Sequence, residues 1–323
     1  MDEFALIAEL FAPLSRGAPG AFELTDDAAV IEVAAGRRLV VTKDMVSAGV
    51  HFLVDDPPGL VARKLLRINL SDLAAMAARP RAYLLGLAVP PHIDEDWLRA
   101  FAAGLAEDQA LYDVHLIGGD TVATEGPFTA SLTAFGEVAA GAELRRAGAR
   151  SGDAVVVSGT LGDAALGLEV LRDKLEGVDE AGREALVDRF RLPRPRVALG
   201  VRLSGLAHAA IDVSDGLVAD LGHICTASGV GAEIEAARLP LSPAAQAALA
   251  ARPGLRTTVL TGGDDYEIVF AAAAAADARL AELSAALDLP LTAIGRFVEG
   301  EGVAVIDEGG ARLDLPIAGY THF

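Results

Sequence analysis

Acidic side chains recur in this sequence at points where a predicted strand or loop meets the start of a helix. Any one of them alone is typical of a helix cap or an Asx-turn, in which the carboxylate accepts a backbone N–H. Together they have the composition of a site for a hard divalent cation such as Mg²⁺, which binds a few carboxylate oxygens and the phosphate oxygens of a substrate. The recurring residues are Asp26, Asp27, Asp44, Asp72, Asp120, Asp212, Asp215, Asp264 and Asp265.

The segment INLSDLAA, residues 68–75, strengthens this prediction. Asn69 and Asp72 are three positions apart and therefore share one face of a predicted helix. The rest of that helix is mostly apolar, and an Asn–Asp pair on it has no evident packing purpose. We therefore expect both side chains to serve a site.

The segment IDVSDGL, residues 211–217, is the second informative stretch. Asp212 ends a predicted strand, and Ser214 and Asp215 are predicted to begin a helix. An N-cap role would explain Ser214, and the helix dipole would favour Asp215. Neither explains Asp212, which therefore remains a candidate ligand.

Common nucleotide-binding motifs are absent from the sequence. The three lysines, Lys43, Lys64 and Lys174, lie outside any glycine-rich P-loop, and no G-x-G-x-x-G, H-R-D or D-F-G string occurs. The G-x-S-x-G string of an α/β-hydrolase is absent as well. Residues 118–121, GGDT, follow a predicted strand and could bring backbone N–H groups close to a phosphate. A Gly-Gly-Asp stretch alone is more typical of a plain turn. A nucleotide would therefore have to be bound through acid-held metal.

The charge balance argues against several classes of partner. The chain of 323 residues has 27 Lys and Arg against 46 Asp and Glu, a formal net charge of −19. This charge disfavours binding to nucleic acid and to an anionic membrane surface. The single cysteine, Cys225, cannot form an internal disulfide and is expected in the core. The opening MDEFALIAEL shows no secretory pattern, and the apolar stretch 268–276 is too short to span a bilayer, so we expect a cytoplasmic protein.

Strand-like and helix-like patterns alternate along the chain, which predicts a mixed α/β fold. In the first half, strands are predicted at 38–42, 82–89, 114–117 and 128–138, and helices at 58–78 and 94–112. In the second half, strands are predicted at 155–158, 209–213 and 266–271, and helices at 162–175, 214–228 and 272–287. Between them, residues 141–153 interrupt the pattern with Gly and Arg. We therefore predict two domains, residues 1–149 and 150–323.

Several segments, taken in order, resemble thiamine-monophosphate kinase, a family within the aminoimidazole-ribotide synthetase-like class of ATP-using proteins. They are TDDAAV, VTKDMVSAGVHF, INLSDLAAMAA, IGGDT, RRAGA, IDVSDGL and GGDDYE. The resemblance runs from residue 4 to the closing GYTHF. It implies two α/β domains of the aminoimidazole-ribotide synthetase-like type, a homodimer formed through the N-terminal domains, and ATP bound with several Mg²⁺ ions. The implied reaction is the phosphorylation of thiamine monophosphate to thiamine diphosphate. Because the sequence offers no convincing covalent nucleophile, we expect the transfer to be direct and in line.

The resemblance also implies roles for individual residues. The metal ligands would be Asp27, Thr42, Asp44, Asp72, Asp120, Asp212 and Asp215, with Asp72, Asp120 and Asp212 central to catalysis. ATP would contact Gly119, Asp120, Arg146 and Ser214, and the substrate would contact His51, Asp264 and Tyr320. From the residues alone, His51 is more typical of a partly buried structural histidine.

Two positions depart from the family pattern. Thr25 stands where the family commonly has Gly, and Lys43 stands where it commonly has Ser or Thr. A lysine at this position could replace one cation or contact a phosphate directly.

Three other functions are weighed against the kinase. Aminoimidazole-ribotide synthetase shares the fold, but GVHF and GGDDYE argue against it. Selenophosphate synthetase would need a reactive Cys or selenocysteine near the N-terminus, whereas this chain has only Cys225. A non-catalytic protein stabilised by Ca²⁺ would not explain Arg146 or GGDT, and no EF-hand spacing is present.

Overall fold

Two units, each containing one β-sheet, make up the chain. The computed structural model describes residues 3–315 and 319–320. Within these, the first unit comprises residues 3–73 and 78–141, and the second comprises residues 74–77, 142–315 and 319–320. The first unit contains a four-stranded sheet and the second a six-stranded sheet. The predicted mixed α/β fold with two domains is confirmed.

The first unit places two long helices against its sheet. Its helices are α1 (Glu3–Leu6), α2 (Pro58–Ala75, whose last two residues count with the second unit) and α3 (Glu95–Tyr112). Its strands are β1 (Arg37–Ser47), β2 (Arg79–Val89), β3 (His115–Ala123) and β4 (Thr129–Ala139). The strand order is β1-β4-β2-β3, with β2 and β3 parallel and the other neighbours antiparallel. Irregular helical turns at Ile7–Phe11, Ala12–Ser15 and Pro19–Leu24 follow α1.

Two expectations about the first unit were wrong. The sequence predicted that Arg79 and Pro80 end a helix at residue 78, but α2 ends at Ala75 and both residues begin β2. The register of β2 against β4 shifts just after Pro80, which lets the sheet accommodate a residue without a backbone N–H. The GGDT stretch is not a turn, because β3 continues through it to Ala123.

The second unit surrounds its sheet with shorter helices. The strands are β5 (Ala154–Ser158), β6 (Ala207–Asp212), β7 (Gly231–Glu235), β8 (Ile268–Ala272), β9 (Leu291–Val298) and β10 (Val303–Ile306), in the order β10-β7-β9-β5-β8-β6. The helices are α4 (Asp163–Leu171), α5 (Glu180–Arg191), α6 (Val197–Leu203), α7 (Leu217–Ser228), α8 (Pro243–Ala251), α9 (Arg256–Thr261) and α10 (Asp277–Leu287). Only β7 and β10 pair in parallel; the other neighbours are antiparallel.

Strand β8 lies in the apolar core of the second unit. Its five residues, IVFAA, are all buried. Phe270 packs into one apolar cluster with Leu199 and Leu280, whereas Val269 packs into another with Leu166. The strand is therefore covered on both faces, which is why its sequence is continuously apolar rather than alternating.

Helix α7 begins later than the sequence predicted. The pattern placed Ser214 and Asp215 at its start, but the helix begins at Leu217 with Gly216 as its N-cap. Ser214 and Asp215 instead lie in the connection between β6 and α7. Within the described residues, no helix has the length and hydropathy needed to cross a bilayer.

Candidate functional site

Strand β1 and helix α2 hold three of the predicted ligands. The Thr42 hydroxyl donates to Asp72 Oδ2 at 2.5 Å. Two residues along, the Asp44 amide donates to Asn69 Oδ1 at 3.1 Å. The structure therefore brings Thr42, Asp44 and Asp72 to one seam between the strand and the helix.

Asn69 corrects one expectation from the sequence. It is fully buried, and its side-chain amide also donates to the Leu65 carbonyl at 2.9 Å. The expectation that Asn69 has no packing purpose was therefore wrong, because it anchors β1 to α2 at the Asp44 amide. The face it shares with Asp72 also includes the buried Leu65 one turn earlier, so that face is not purely polar.

A cleft of about 700 Å³ in the first unit contains another group of predicted residues. Asp27, Gly119 and Asp120 line it together with Lys43. The Lys43 ammonium donates to the Ser131 hydroxyl at 2.5 Å. The cleft thus combines carboxylates with a cation, a combination suited to a phosphate with associated metal.

Gly119 is required by the close pairing of β2 and β3. A β-carbon at this position would collide with the carbonyl oxygen of Leu85. The glycine therefore serves the approach of two strands, and it leaves the neighbouring Asp120 exposed at the cleft. Asp120 Oδ1 accepts the Thr121 amide at 2.9 Å.

His51 lies in the turn that follows β1 and is half-buried. Its Nδ1 accepts the Ser47 amide at 3.1 Å, and its carbonyl accepts the Lys64 ammonium at 3.1 Å. Because Nδ1 acts as an acceptor, the neutral imidazole carries its proton on Nε2. The ring is therefore oriented by the turn, and Nε2–H is its donor.

The connection between β6 and α7 holds the second group of candidates. Asp212 ends β6 and is buried, whereas Ser214 and Asp215 are half-buried. The Asp220 carboxylate reaches back from the first turn of α7, and its Oδ2 accepts the amides of Ser214, Asp215 and Gly216 at 3.0, 3.0 and 3.1 Å. Burial raises the pKa of Asp220 to about 7. The sequence did not predict a role for Asp220. Its position in the first turn of a helix, where a carboxylate can accept backbone amides, was the available signal.

The GGDDYE segment packs directly against this connection. The Asp264 amide donates to the Ser214 carbonyl at 2.8 Å, and the Tyr266 amide donates to the Val213 carbonyl at 2.8 Å. Asp264 and Tyr266 both have positive φ, 72° and 51°, a left-handed conformation that costs free energy for residues other than glycine. The surrounding contacts must therefore hold the segment in place.

Tyr320 lies against the same connection. Its amide donates to the Asp215 carbonyl at 3.0 Å, and its side chain is 50% exposed. The structure therefore brings Ser214, Asp215, Asp264 and Tyr320 together, through main-chain bonds. The sequence resemblance assigns the first two to nucleotide and metal and the last two to substrate.

The two neighbouring acids of GGDDYE have different surroundings. Asp264 is half-buried, but Asp265 is buried and accepts the amides of Gly162 and Ala164 at 2.6 and 3.2 Å. Burial raises the pKa of Asp265 to about 7. Asp265 therefore fixes the backbone and is not available to a ligand.

Glu267 is the third acid of this segment and is also buried. Its carboxylate accepts from Ser158, Arg189 and Arg196. The same Arg189 donates to the Asp265 carbonyl at 3.1 Å. This ion network accounts for the strained backbone of the segment, since it fixes the residues on both sides of Tyr266.

Arg146 lies on an exposed loop that the end of α7 holds in place. The Ser228 hydroxyl accepts the amides of Gly148 and Ala149 at 3.1 Å each and donates to the Arg146 carbonyl at 3.2 Å. The loop backbone is thus fixed, while the Arg146 side chain extends from it into solvent.

The donors fit a hard cation. Across residues 3–315 and 319–320, no three carboxylate, imidazole or thiol groups converge into a ready-made metal cage. Mg²⁺ normally retains waters and combines one or two carboxylates with substrate phosphates, so it does not need such a cage. Carboxylate and hydroxyl oxygens at Asp27, Asp120, Asp72 and Thr42 are suitable donors for it.

Comparisons with known proteins identify the family. Residues 25–138 match the N-terminal domain, and residues 150–308 the C-terminal domain, of AIR synthase related proteins. The chain is 48% identical to a thiamine-monophosphate kinase of Caulobacter vibrioides over 310 residues, which are 95% of this chain and 87% of that protein. It is 40% identical to the thiamine-monophosphate kinase of Escherichia coli K12 over 99% of this chain and 98% of that one.

Solved structures agree with the sequence comparison. The crystal structure of a thiamine-monophosphate kinase from Stenotrophomonas maltophilia superposes with a TM-score of 0.81 at 47% identity, covering 87% of this chain and 89% of that chain. A structure of AaThiL complexed with AMPPCP and TMP superposes with a TM-score of 0.79 at 32% identity, covering 99% and 97%. The family predicted from the motifs is confirmed.

Proposed function

Because the chain belongs to the thiamine-monophosphate kinase family, we propose that it transfers the γ-phosphoryl group of ATP to thiamine monophosphate, forming thiamine diphosphate and ADP. One observation carries this proposal beyond family membership. The residues assigned to the nucleotide side, Ser214 and Asp215, are hydrogen-bonded through their carbonyls to those assigned to the substrate side, Asp264 and Tyr320. A single segment of backbone thereby supports groups for both reactants.

The acidic residues fit a reaction that requires Mg²⁺. In the first unit the proposed metal ligands are Asp27, Thr42, Asp44, Asp72 and Asp120, and in the second unit they are Asp212 and Asp215. Bound Mg²⁺ would supply neutralisation of the negative charge on the phosphates. Lys43 adds a positive charge to the cleft with Asp27 and Asp120. This charge favours an anionic ligand in a protein whose net charge is −19.

Transfer is proposed to be direct, without a phosphoenzyme. An oxygen of the substrate phosphate attacks the γ-phosphorus, and the bond to the bridging oxygen breaks, leaving its electron pair on ADP. Two bound reactants held in line gain the proximity advantage, about 7–11 kcal/mol in well-oriented systems. Cys225 is unsuitable as a nucleophile, since it is 1% exposed and burial raises its pKa to about 11.

The enzyme is proposed to act in the cytoplasm as a homodimer formed through the first unit. Strand β1 is at the edge of its sheet and leaves apolar side chains in solvent, Val41 at 54% and Met45 at 53% exposure. An edge strand with exposed apolar residues is a site at which a second chain can pair or pack. Light scattering on the wild type and on Val41→Lys tests this, because a dimer at this edge should become a monomer in the variant.

Release of ADP with different acceptors tests the proposed reaction. We expect Mg²⁺-dependent ADP release with thiamine monophosphate and none with aminoimidazole-ribotide precursors. Release with the precursors alone would instead support a synthetase. A mechanistic check uses ATP that is chiral at the γ-phosphorus, which should give product of inverted configuration because a single in-line displacement inverts once.

A further inference from the structure

We infer that Asp220 is a positioning residue for this reaction: it holds, through three consecutive peptide groups, the backbone from which the groups for both reactants extend. The inference rests on the proposed function and adds a residue that has no role in the assignments above. Asp220 lies in the first turn of α7 and is 2% exposed. It is therefore removed from solvent and acts through the groups it contacts.

A single carboxylate oxygen of Asp220 accepts three backbone hydrogen bonds. Oδ2 accepts the amides of Ser214, Asp215 and Gly216, all at 3.0–3.1 Å. All three amides precede the first residue of α7, so the bonds extend beyond ordinary capping of the helix. Three hydrogen bonds to one carboxylate oxygen fix the path of the connection at three successive amides.

The carbonyls of the same connection accept hydrogen bonds from the GGDDYE segment and from Tyr320, which include the residues assigned to the substrate. Each of three carbonyls accepts one amide: Val213 from Tyr266 at 2.8 Å, Ser214 from Asp264 at 2.8 Å, and Asp215 from Tyr320 at 3.0 Å. No side chain is needed for these bonds. The positions of Asp264 and Tyr320 are therefore set by where the connection lies.

The two sets of bonds involve the same three peptide groups. The amide of one residue and the carbonyl of the residue before it belong to one rigid plane. In each of these three peptide groups, the N–H donates to Asp220 and the C=O accepts the amide of Tyr266, Asp264 or Tyr320. Hydrogen bonds in such a chain polarise and strengthen one another. A shift of the connection would move the nucleotide-side and substrate-side groups together.

Loss of the carboxylate should therefore affect both reactants. We expect Asp220→Ala to lower kcat/KM for ATP and for thiamine monophosphate by about 10²-fold, the effect of a misplacement of about 1 Å. Asp220→Asn keeps an oxygen that can accept the amides, and it should fall between the alanine variant and the wild type. A purely structural role would lower the melting temperature without raising the two KM values in parallel.

The matched control, Asp179→Ala, removes the N-cap side chain of another helix in the second unit. Asp179 is the N-cap of α5, and its Oδ1 accepts the Gly182 amide at 2.9 Å. Asp179→Ala should keep both KM values within about twofold of wild type, because the lost cap stabilises α5 and does not contact the residues assigned to either reactant. Kinetics are measured on the full-length chain at a temperature where circular dichroism shows each variant folded.

The outcomes separate this inference from the proposed function. A wild-type chain that forms no thiamine diphosphate would refute the function itself. With an active wild type, parallel losses in Asp220→Ala beyond those of Asp179→Ala support the positioning role, and kinetics within twofold of wild type overturn it. Should the alanine variant not fold, Asp220→Asn decides: raised KM for both reactants supports the role, and unchanged values overturn it.

Discussion

The amide of Tyr320 donates a hydrogen bond to the carbonyl of Asp215, at an N···O distance of 3.0 Å. The contact involves main-chain atoms only, and half of the tyrosine side chain is exposed. Position 320 is therefore fixed by the backbone, whatever side chain it carries. The ring can be changed without releasing the segment from the connection that follows β6.

This arrangement predicts a selective effect of Tyr320→Ala. Its KM for thiamine monophosphate should rise much more than its KM for ATP, because the proposed contact of the aromatic face with the thiamine ring system would be lost, a contact worth about 0.5–1.5 kcal/mol beyond its area. Tyr320→Phe retains the ring and serves as the control, with both KM values close to wild type. Steady-state kinetics with each reactant varied in turn provide the measurement. Equal increases in both KM values would point to a structural role instead.

Asp72→Asn should abolish most activity while the fold persists. Asparagine can still accept the Thr42 hydroxyl bond, so the melting temperature should stay within a few degrees of wild type. The substitution would remove the negative charge of a proposed metal ligand, and kcat should fall about 10²–10³-fold. Asp113→Asn is the control, since Asp113 is an exposed left-handed C-cap at which asparagine is tolerated. Turnover close to wild type in Asp72→Asn would refute the assignment of Asp72 as a ligand.

Lys43→Met should raise the KM for ATP by about tenfold, the effect expected when a hydrogen bond to a charged group is lost. The variant keeps an unbranched side chain one atom shorter than lysine but leaves the carboxylates of Asp27 and Asp120 in the cleft without that cation. Lys174→Met, at an exposed position in the second unit, controls for the change in net charge. An unchanged KM in Lys43→Met would show that this lysine does not act on the nucleotide.

Asp265 should make the stability of the protein depend on pH. Its pKa is raised to about 7, mainly by burial. The charge of Arg189 opposes this shift, and the charge of Asp163 adds to it. The unfolded value is about 3.9. Between these values the folded state binds more protons than the unfolded state, so this group makes stability fall as pH rises from about 4 to 7. Above pH 7 its contribution is constant.

Asp265→Asn removes that titration. Thermal melts at half-unit steps from pH 5 to 8 should show a smaller decline in melting temperature for the variant than for the wild type. The variant should also be less stable at pH 5, where Asp265 is protonated, because its side-chain NH₂ replaces one of the two oxygens that accept the amides of Gly162 and Ala164. Parallel melting curves in wild type and variant would contradict the assignment of this pH dependence to Asp265.

The sequence predicted the fold class because buried strands and amphipathic helices differ in period, and β8 shows the limit of that signal. Its run IVFAA was recognised as a strand, but the bounds were two residues early at the start, since no period marks where GGDDYE ends and the strand begins. The strands β7, β9 and β10 and several helices of the second unit were not predicted. These strands and helices are stabilised by pairing and packing with distant parts of the second unit, which local sequence patterns do not encode.

The site was predictable as a set of residue types but not as an arrangement. Asp264 and Asp265 look equivalent in the sequence, yet Asp264 is half-buried, whereas Asp265 is buried and accepts two amides at the start of α4. Asp220 has no motif of its own, and its role depends on three amides that precede its helix. Side chains that act on the backbone of another segment are recognised only when the chain is folded.

Transfer of label from γ-³²P-ATP tests the central claim most directly. The purified chain is incubated with labelled ATP, Mg²⁺ and thiamine monophosphate, and the products are separated and counted. We predict labelled thiamine diphosphate in amounts equal to the ADP formed, with no label retained on the protein when the acceptor is omitted. Label released only as inorganic phosphate, or label found only on the protein, would contradict the proposed transfer from ATP to thiamine monophosphate.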